Sequence, residues 1–232
     1  MTDPKGSPGP RGRSLLWVVL ALSLIANAYQ AYRMQQLEHA GQVRRSDRTA
    51  RVGHRADIYR ELPMDSTSIV LFGDSHFEYF PATELLDLPN IKNRGLSGQT
   101  AQNLMARSKE VIDAKPRTIV LCIGINDINL GRSLDDLAQD VEQLIDLLRS
   151  GSPRTELLVL SLPPSGRTAT QAKLEAHNAW LRAACAQRGI EFLDITTPLM
   201  KDGLLHPDRT YDGLHLNAQG YRILTALLRT HI

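Results

Sequence analysis

The chain has 232 residues, 42% of them apolar, which is enough for one well-buried domain, whereas two full domains would each be small. Residues 1–62 carry ten Lys and Arg against five Asp and Glu, and the remaining residues carry seventeen against twenty. Because the basic excess lies outside the larger, acidic part of the chain, we expect no nucleic-acid partner. Cys122 and Cys185 lie in separate apolar and helical patterns, which favours buried free thiols over a metal site or a disulfide scaffold.

The first 62 residues divide into three predicted segments. Residues 1–13 are rich in Pro, Gly and basic residues, which predicts a flexible basic tail. Residues 14–32 contain no charge, and nineteen residues at about 1.5 Å each match the ~30 Å hydrocarbon layer, which predicts a transmembrane helix or signal anchor. Residues 33–62 are polar and compatible with helix, which predicts a stalk near the membrane or a basic strip that touches anionic lipid.

The segment at residues 14–32 has more than one interpretation. Ala26-Asn27-Ala28 has the small-x-small form of a signal-peptide cleavage site, while the length of the run and its flanking aromatic residues favour an uncleaved single-pass anchor. More arginines follow the run than precede it, and this count alone favours a cytoplasmic C-terminal part. Arg11 and Arg13, directly before the run, favour export of that part instead. We expect a membrane protein whose C-terminal part is periplasmic or extracytoplasmic, with the cytoplasmic face and secretion as alternatives.

From residue 63 to residue 232, short apolar runs alternate with segments of helical spacing. The apolar runs are Ile69–Phe72, Ile119–Ile123 and Leu157–Leu160, and the helical segments are 100–114, 134–149, 170–187 and 218–231. Strands that are apolar on both faces and separated by helices predict one α/β domain, with a mainly parallel sheet covered by helices. Asn217, directly before the last helical pattern, is predicted to cap that helix. Ligands bind such sheets at the carboxyl ends of the strands, so functional residues should follow the strands directly.

Four polar segments stand at those positions or before the last helix. They are GDSH at 73–76, NRGLSGQT at 93–100, GIND at 124–127 and DGLH at 212–215. A serine hydroxyl becomes a nucleophile when a base accepts its proton, and Ser75 and His215 supply such a pair. Asp212, three residues before His215, can orient that ring within one turn. The backbone N–H groups of Ser75 and Gly98 and the amide of Asn126 would stabilise the negative charge that develops on a substrate carbonyl.

In their order and spacing these segments resemble the blocks of the SGNH hydrolases, also called GDSL-type esterases and lipases. The resemblance covers residues 66–232 and implies a flavodoxin-like three-layer α/β/α sandwich, acyl-ester hydrolysis, and neither a cofactor nor a metal. It implies a catalytic triad of Ser75, Asp212 and His215. It also implies an oxyanion hole built by Ser75, Gly98 and Asn126.

Two positions depart from the family pattern, and two structural alternatives stay open. His76 follows the serine where an aliphatic residue is usual, and Gln99 stands where Asp is common, so these departures leave the substrate open more than the mechanism. Asp202 and Asp208 compete with Asp212 as the partner of the histidine. The histidines and aspartates between residues 206 and 215 could also suggest a metal site, but they form no compact ligand motif.

We therefore expect a membrane-anchored serine ester hydrolase that works through an acyl-enzyme on a small-molecule or glycan ester. The polar loop at residues 161–173 offers no apolar lid for a long chain, which favours short acyl groups. One alternative is an envelope polysaccharide O-acetyl esterase or acyltransferase, in which a sugar hydroxyl accepts the acyl group. Another is a catalytically silent, membrane-tethered binding module. The sequence does not specify an oligomeric state.

Overall fold

The computed structural model describes the backbone of residues 10–232, with side chains from residue 17 onward except those of residues 44, 45 and 48. The chain divides into two units, Met1–His54 and Arg55–Ile232. Most of the predicted tail at residues 1–13 therefore lies outside the described residues.

The second unit contains a sheet, a small hairpin and seven complete α-helices among the described residues. The helices of the chain are α1 Pro10–Glu61, α2 Ser75–Glu78, α3 Ala82–Leu86, α4 Ala101–Ala114, α5 Ile125–Asn129, α6 Leu134–Gly151, α7 Thr168–Gln187 and α8 Ala218–Leu228. The strands are β1 Ile69–Gly73, β2 Ile91–Asn93, β3 Thr118–Cys122, β4 Glu156–Leu160, β5 Glu191–Leu193, β6 Met200–Lys201 and β7 Leu204–Leu205.

The five-stranded sheet has the order β2-β1-β3-β4-β5, and all of its neighbouring strands are parallel. Strands β1 and β3 lie inside the sheet and are buried at every residue, which explains their uninterrupted apolar sequences. Strands β6 and β7 form a separate antiparallel hairpin. The prediction of a mainly parallel α/β domain is confirmed.

The helices bury the apolar stripes that the sequence predicts. In α6, the residues spaced by three and four are buried, and Ser133 caps the helix by accepting a hydrogen bond from the backbone N–H of Asp136. Helix α4 packs against α6, α6 against α7, and α3 against α8. Asn217 caps α8 by accepting from the N–H groups of Gln219 and Gly220, as predicted.

The sheet changes direction at β1. The chain leaves β1 for β2 on one side, and then crosses back to β3 on the other side. A crevice forms outside the carboxyl ends of the strands at such a switch point. The predicted nucleophile follows β1 and the predicted asparagine follows β3, so both lie at this crevice.

The N-terminal segment requires a correction. Helix α1 is 52 residues long, but within the part of the chain that the structure describes no helix is apolar enough over a sufficient length to cross a membrane. From Trp17, the first described side chain, the helix soon meets the polar Asn27 and Gln30 and then the charged Arg33, which lowers its mean hydropathy. The prediction of a transmembrane helix at residues 14–32 and of a single-pass membrane localisation is therefore wrong.

Candidate active site

The turn after β1 presents Ser75 at the edge of the sheet. Asp74 caps the short helix α2, and its carboxylate accepts a hydrogen bond from the backbone N–H of His76 at 3.0 Å. The end of β1 lies so close to β3 that a Cβ on Gly73 would be 2.3 Å from the carbonyl oxygen of Cys122. Glycine is therefore needed to bring this turn against the neighbouring strand, and Ser75 becomes the first residue of α2.

Ser75, His215 and Asp212 form a continuous chain of hydrogen bonds. The Oγ of Ser75 lies 3.0 Å from Nε2 of His215, and Nδ1 of the same ring lies 2.7 Å from Oδ2 of Asp212. Because an ionised carboxylate only accepts hydrogen bonds, Nδ1 carries a proton and donates a hydrogen bond to Asp212. Nε2 is then free to accept a hydrogen bond from the Ser75 hydroxyl.

Asp212 is held as an anion by its own loop. Its Oδ1 accepts the backbone N–H groups of Leu214 at 2.9 Å and His215 at 2.7 Å. Partial burial acts to raise the pKa of Asp212, but the hydrogen bonds from the His215 ring and from these two N–H groups outweigh it, so the pKa is lowered. The competing Asp208 instead donates its backbone N–H to Nδ1 of His206.

Gly98 lies in the loop that follows β2, and Asn126 is the second residue of α5, shortly after β3. Gly98 has a φ of 76°, which glycine adopts without strain. The Nδ2 of Asn126 donates to the carbonyl oxygen of Gln99 at 2.9 Å, and it lies 3.5 Å from Oδ2 of Asp74. The Asn126 amide thus connects the loop of Gly98 with the turn of Ser75, and three of the four sequence segments meet here.

Asp127 is a structural residue that the sequence analysis did not identify. Its buried Oδ2 accepts the backbone N–H of Ala101 at 3.2 Å, which ties α5 to the beginning of α4. Burial raises the pKa of Asp127, although the Ala101 N–H and the guanidinium of Arg132, 3.8 Å away, act in the opposite direction. The signal in the sequence was an acid directly after Asn126, within a segment already singled out.

The side chain of His76 lies between the turn of Ser75, residues 73–76, and the loop of His215, residues 210–215. Its Nδ1 is 3.2 Å from Oδ1 of Asp74, and its Nε2 is 3.1 Å from the carbonyl oxygen of Leu214. Burial acts to lower the pKa of His76, but the hydrogen bond and charge of Asp74 outweigh it and the pKa is raised. With only 2% of its surface exposed, His76 offers a substrate almost no contact area.

Two exposed tyrosines, also missed in the sequence, flank the ring of His215. The ring centroids of Tyr79 and Tyr211 lie 5.1 Å and 5.9 Å from that of His215. Both tyrosines line an open cavity of about 380 Å³, together with Pro81 and Tyr221. Large aromatic side chains beside a polar group are common in small-molecule sites, so this cavity is a candidate place for part of a substrate.

Comparison with known proteins gives consistent results. The family described as GDSL-like Lipase/Acylhydrolase family matches residues 72–223. Over 166 residues the chain is 27% identical to an N-acylneuraminate cytidylyltransferase of Streptococcus agalactiae serotype III, covering 72% of this chain and 39% of that protein. Over 144 residues it is 27% identical to the platelet-activating factor acetylhydrolase IB subunit alpha2 of Rattus norvegicus, covering 60% of this chain and 62% of that protein.

A solved structure shows the same fold. A GDSL-like lipase from Bacteroides thetaiotaomicron superposes with a TM-score of 0.70 at 21% identity, covering 77% of this chain and 95% of that chain. The chain spans less than two thirds of the length of the two curated relatives, so their activities describe those proteins and not this one.

Proposed function

Because the chain belongs to the GDSL-like lipase/acylhydrolase family, the family that its sequence segments resemble, we propose that it hydrolyses acyl esters with Ser75 as nucleophile. His215 acts as the general base and Asp212 orients it. The observation that carries the proposal is the unbroken chain of hydrogen bonds from Ser75 through His215 to Asp212, at 3.0 and 2.7 Å. Both distances suit proton transfer without rearrangement of the three side chains.

The reaction follows from these contacts. As Oγ of Ser75 attacks the carbonyl carbon, Nε2 of His215 takes the hydroxyl proton, and Asp212 stabilises the imidazolium that forms. The imidazolium then gives this proton to the alcohol oxygen as the carbon–oxygen bond of the ester breaks, which leaves an acyl group on Ser75. A water molecule, activated by the same ring, releases the acid and restores the serine.

Three donors are proposed to stabilise the oxyanion of this reaction. The backbone N–H of Ser75 is at the first residue of a helix, where N–H groups have no intrahelical acceptor. The N–H of Gly98 and the amide of Asn126 complete the set. The 3.5 Å contact of Asn126 with Asp74 is long for a hydrogen bond, so that N–H of the amide is the one free to turn to the substrate.

We further propose a short acyl group on a carbohydrate or another small alcohol. The leaving alcohol must lie beside His215, which protonates it, and there Tyr79 and Tyr211 border a small cavity. The name of one curated relative, an acetylhydrolase, supports a short acyl group, and the name of the other, an N-acylneuraminate cytidylyltransferase, contains a carbohydrate. Transfer of the acyl group to a sugar hydroxyl is the alternative, since the acyl-enzyme could be released by that acceptor instead of water.

A series of p-nitrophenyl esters from acetate to palmitate tests the proposal. We expect the purified chain to hydrolyse the acetate fastest, and Ser75→Ala to abolish turnover and labelling by a fluorophosphonate probe, because the nucleophilic oxygen is gone. Ser97→Ala is the matched control: this serine lies in the neighbouring loop and its hydroxyl donates to Glu78, so the variant should keep the label.

Two results would count against the proposal. Undiminished turnover in folded Ser75→Ala would exclude Ser75 as the nucleophile. Failure of the unaltered chain to label or to hydrolyse any ester would instead favour a binding module that keeps the fold without catalysis.

A further inference from the structure

His76 is bounded by hydrogen-bond acceptors at both of its ring nitrogens. Nδ1 faces a carboxylate oxygen of Asp74 at 3.2 Å, and Nε2 faces the carbonyl oxygen of Leu214 at 3.1 Å. A neutral imidazole has one N–H group and one lone pair. Whichever nitrogen carried the single proton, the lone pair of the other would point at an oxygen acceptor inside the protein.

A proton on Asp74 would remove this conflict, but the surroundings of that carboxyl oppose it. Besides the His76 ring, Asp74 accepts the backbone N–H of His76 at 3.0 Å and faces the amide nitrogen of Asn126 at 3.5 Å. The backbone N–H of His76 is a donor at hydrogen-bond distance, and such a donor favours the ionised carboxylate. The proton that reconciles the contacts therefore belongs on the ring.

We infer that His76 is a buried imidazolium that fastens the loop of His215 to the turn of Ser75, and is a positioning residue for the proposed reaction. One of its N–H groups donates to Asp74 in the turn of Ser75. The other donates to Leu214, the residue directly before His215. A single side chain thus fixes the separation between the two segments whose hydroxyl and imidazole must meet.

The hydrogen bond from His76 to Leu214 matters because the direct hydrogen bond between Ser75 and His215 is broken during the proposed reaction. Most of the remaining contacts of the His215 loop are internal: Thr210 donates its hydroxyl to the carbonyl oxygen of His215 at 2.7 Å, and Asp212 accepts two N–H groups of the loop. A contact from outside is made by the backbone N–H of Gly166, which donates to the carbonyl oxygen of Gly213 at 2.8 Å and does not reach the turn of Ser75. The hydrogen bond between Ser75 and His215 reverses when the proton moves to the ring, and it is given up when the ring passes that proton to the leaving alcohol. The bond from His76 to Leu214 takes no part in the proton transfer and persists.

The pH dependence of this contact has a definite sign. The groups that face His76 are Asp74 and Asp212, which favour its charge, the ring of His215 at 5.7 Å, and Tyr221, whose hydroxyl donates to the His76 carbonyl. The pKa of His76 is raised above 6.5 in the folded chain. The stabilisation from this contact is therefore complete at pH values below the pKa of the unfolded chain, and it is lost as the pH rises through the pKa of the folded chain. The difference in the free energy of unfolding between the unaltered chain and a variant without this histidine should therefore become smaller at alkaline pH.

Nuclear magnetic resonance tests the protonation state without reference to catalysis. In the full chain, labelled with nitrogen-15 and held at about pH 7, above the ordinary histidine pKa of ~6.5, we expect both ring nitrogens of His76 to be protonated. His76→Leu assigns these signals by their absence. One protonated nitrogen at this pH would overturn the inference, even if the protein is an esterase; two would support it, even if no ester is hydrolysed.

Kinetics tests the positioning role, which rests on the proposed function. We expect His76→Leu to lower kcat about 10- to 100-fold with little change in KM, because a shifted loop misplaces the base without removing a substrate contact. His76→Gln, whose amide can still donate to Leu214, should recover part of that loss. An unchanged kcat in both variants would overturn the positioning role.

The matched control is His177→Leu, which also removes a histidine that is 2% exposed. The ring nitrogens of His177 have no hydrogen-bond partner among the described residues, and burial lowers its pKa to about 4. Because the pKa of His177 is lowered, its loss should change the pH dependence of stability only on the acid side, between about pH 4 and the ordinary pKa of ~6.5, and not at alkaline pH. A His177→Leu effect equal to that of His76→Leu would show that any buried histidine suffices, and would contradict the proposal.

Discussion

At the scale of single residues, Asn126 is the residue outside the hydrogen-bonded chain of Ser75, His215 and Asp212 whose side chain connects the other two segments of the site. Its one side-chain nitrogen reaches the carbonyl oxygen of Gln99 and the carboxylate of Asp74, which belong to two other segments. The residue therefore has a structural role and a proposed chemical one, and removing it tests both.

We expect Asn126→Ala to lower kcat by about 100- to 1,000-fold, equivalent to about 2.7–4 kcal/mol, if the amide stabilises the oxyanion. The measurement is the hydrolysis of p-nitrophenyl acetate under saturating substrate. Asn103→Ala is the control, because the exposed amide of Asn103 belongs to the capping box at the start of α4. A loss of less than about threefold in Asn126→Ala would remove the oxyanion role.

At the scale of elements, the candidate site depends on how closely the loop after β2 packs on α2. A Cβ added to Gly95 would lie 2.4 Å from the backbone nitrogen of Glu78 and 2.6 Å from Cβ of Phe77. Phe77 is 1% exposed, so neither neighbour can move without disturbing the core. The loop that leads to Gly98 is thereby held against the helix that begins with Ser75.

We expect Gly95→Ala to reduce the free energy of unfolding by about 1–3 kcal/mol, because the methyl group overpacks this contact. Urea denaturation measures the change. Gly41→Ala is the matched control, since Gly41 lies within α1 with nothing within 4 Å of the added Cβ, and it should not lower the midpoint. Equal midpoints for Gly95→Ala and the unaltered chain would mean that the loop yields more readily than the packing indicates.

At the scale of the whole molecule, the two cysteines report whether the core is intact. Both thiols are free and buried, as predicted, and they lie in β3 and α7. Burial raises the pKa of Cys185 to about 11, and that of Cys122 rises well above its ordinary value for the same reason. Thiolates are the reactive form, so these two should be inert in the folded state.

We expect iodoacetamide at about pH 8 to leave Cys122 and Cys185 unmodified in the folded chain and to alkylate both in denaturant. Mass spectrometry of the intact chain measures the number of added groups. Rapid labelling of one cysteine without denaturant would indicate that the layer containing it opens locally.

The sequence predicts the core elements well because their signals are local. The apolar runs at Ile119–Ile123 and Leu157–Leu160 coincide within a residue with β3 and β4, and the stripe of α6 is buried as its spacing requires. The short strands β5, β6 and β7 carry weaker signals, since their pairing partners are provided by other parts of the fold. The membrane prediction failed because it rested on a run without charges, and the described part of α1 is not apolar enough.

The sequence by itself determined which family the chain resembles and which residues are candidates, since turn chemistry and the order of four segments are properties of the chain alone. Only the tertiary structure decided that Ser75 and His215, 140 positions apart, lie 3.0 Å from each other, and that His76 and Asp127 support the site. Their partners are a carbonyl oxygen and a backbone N–H from distant segments. Such groups occur in every residue, so no side-chain pattern distinguishes the ones that folding brings together.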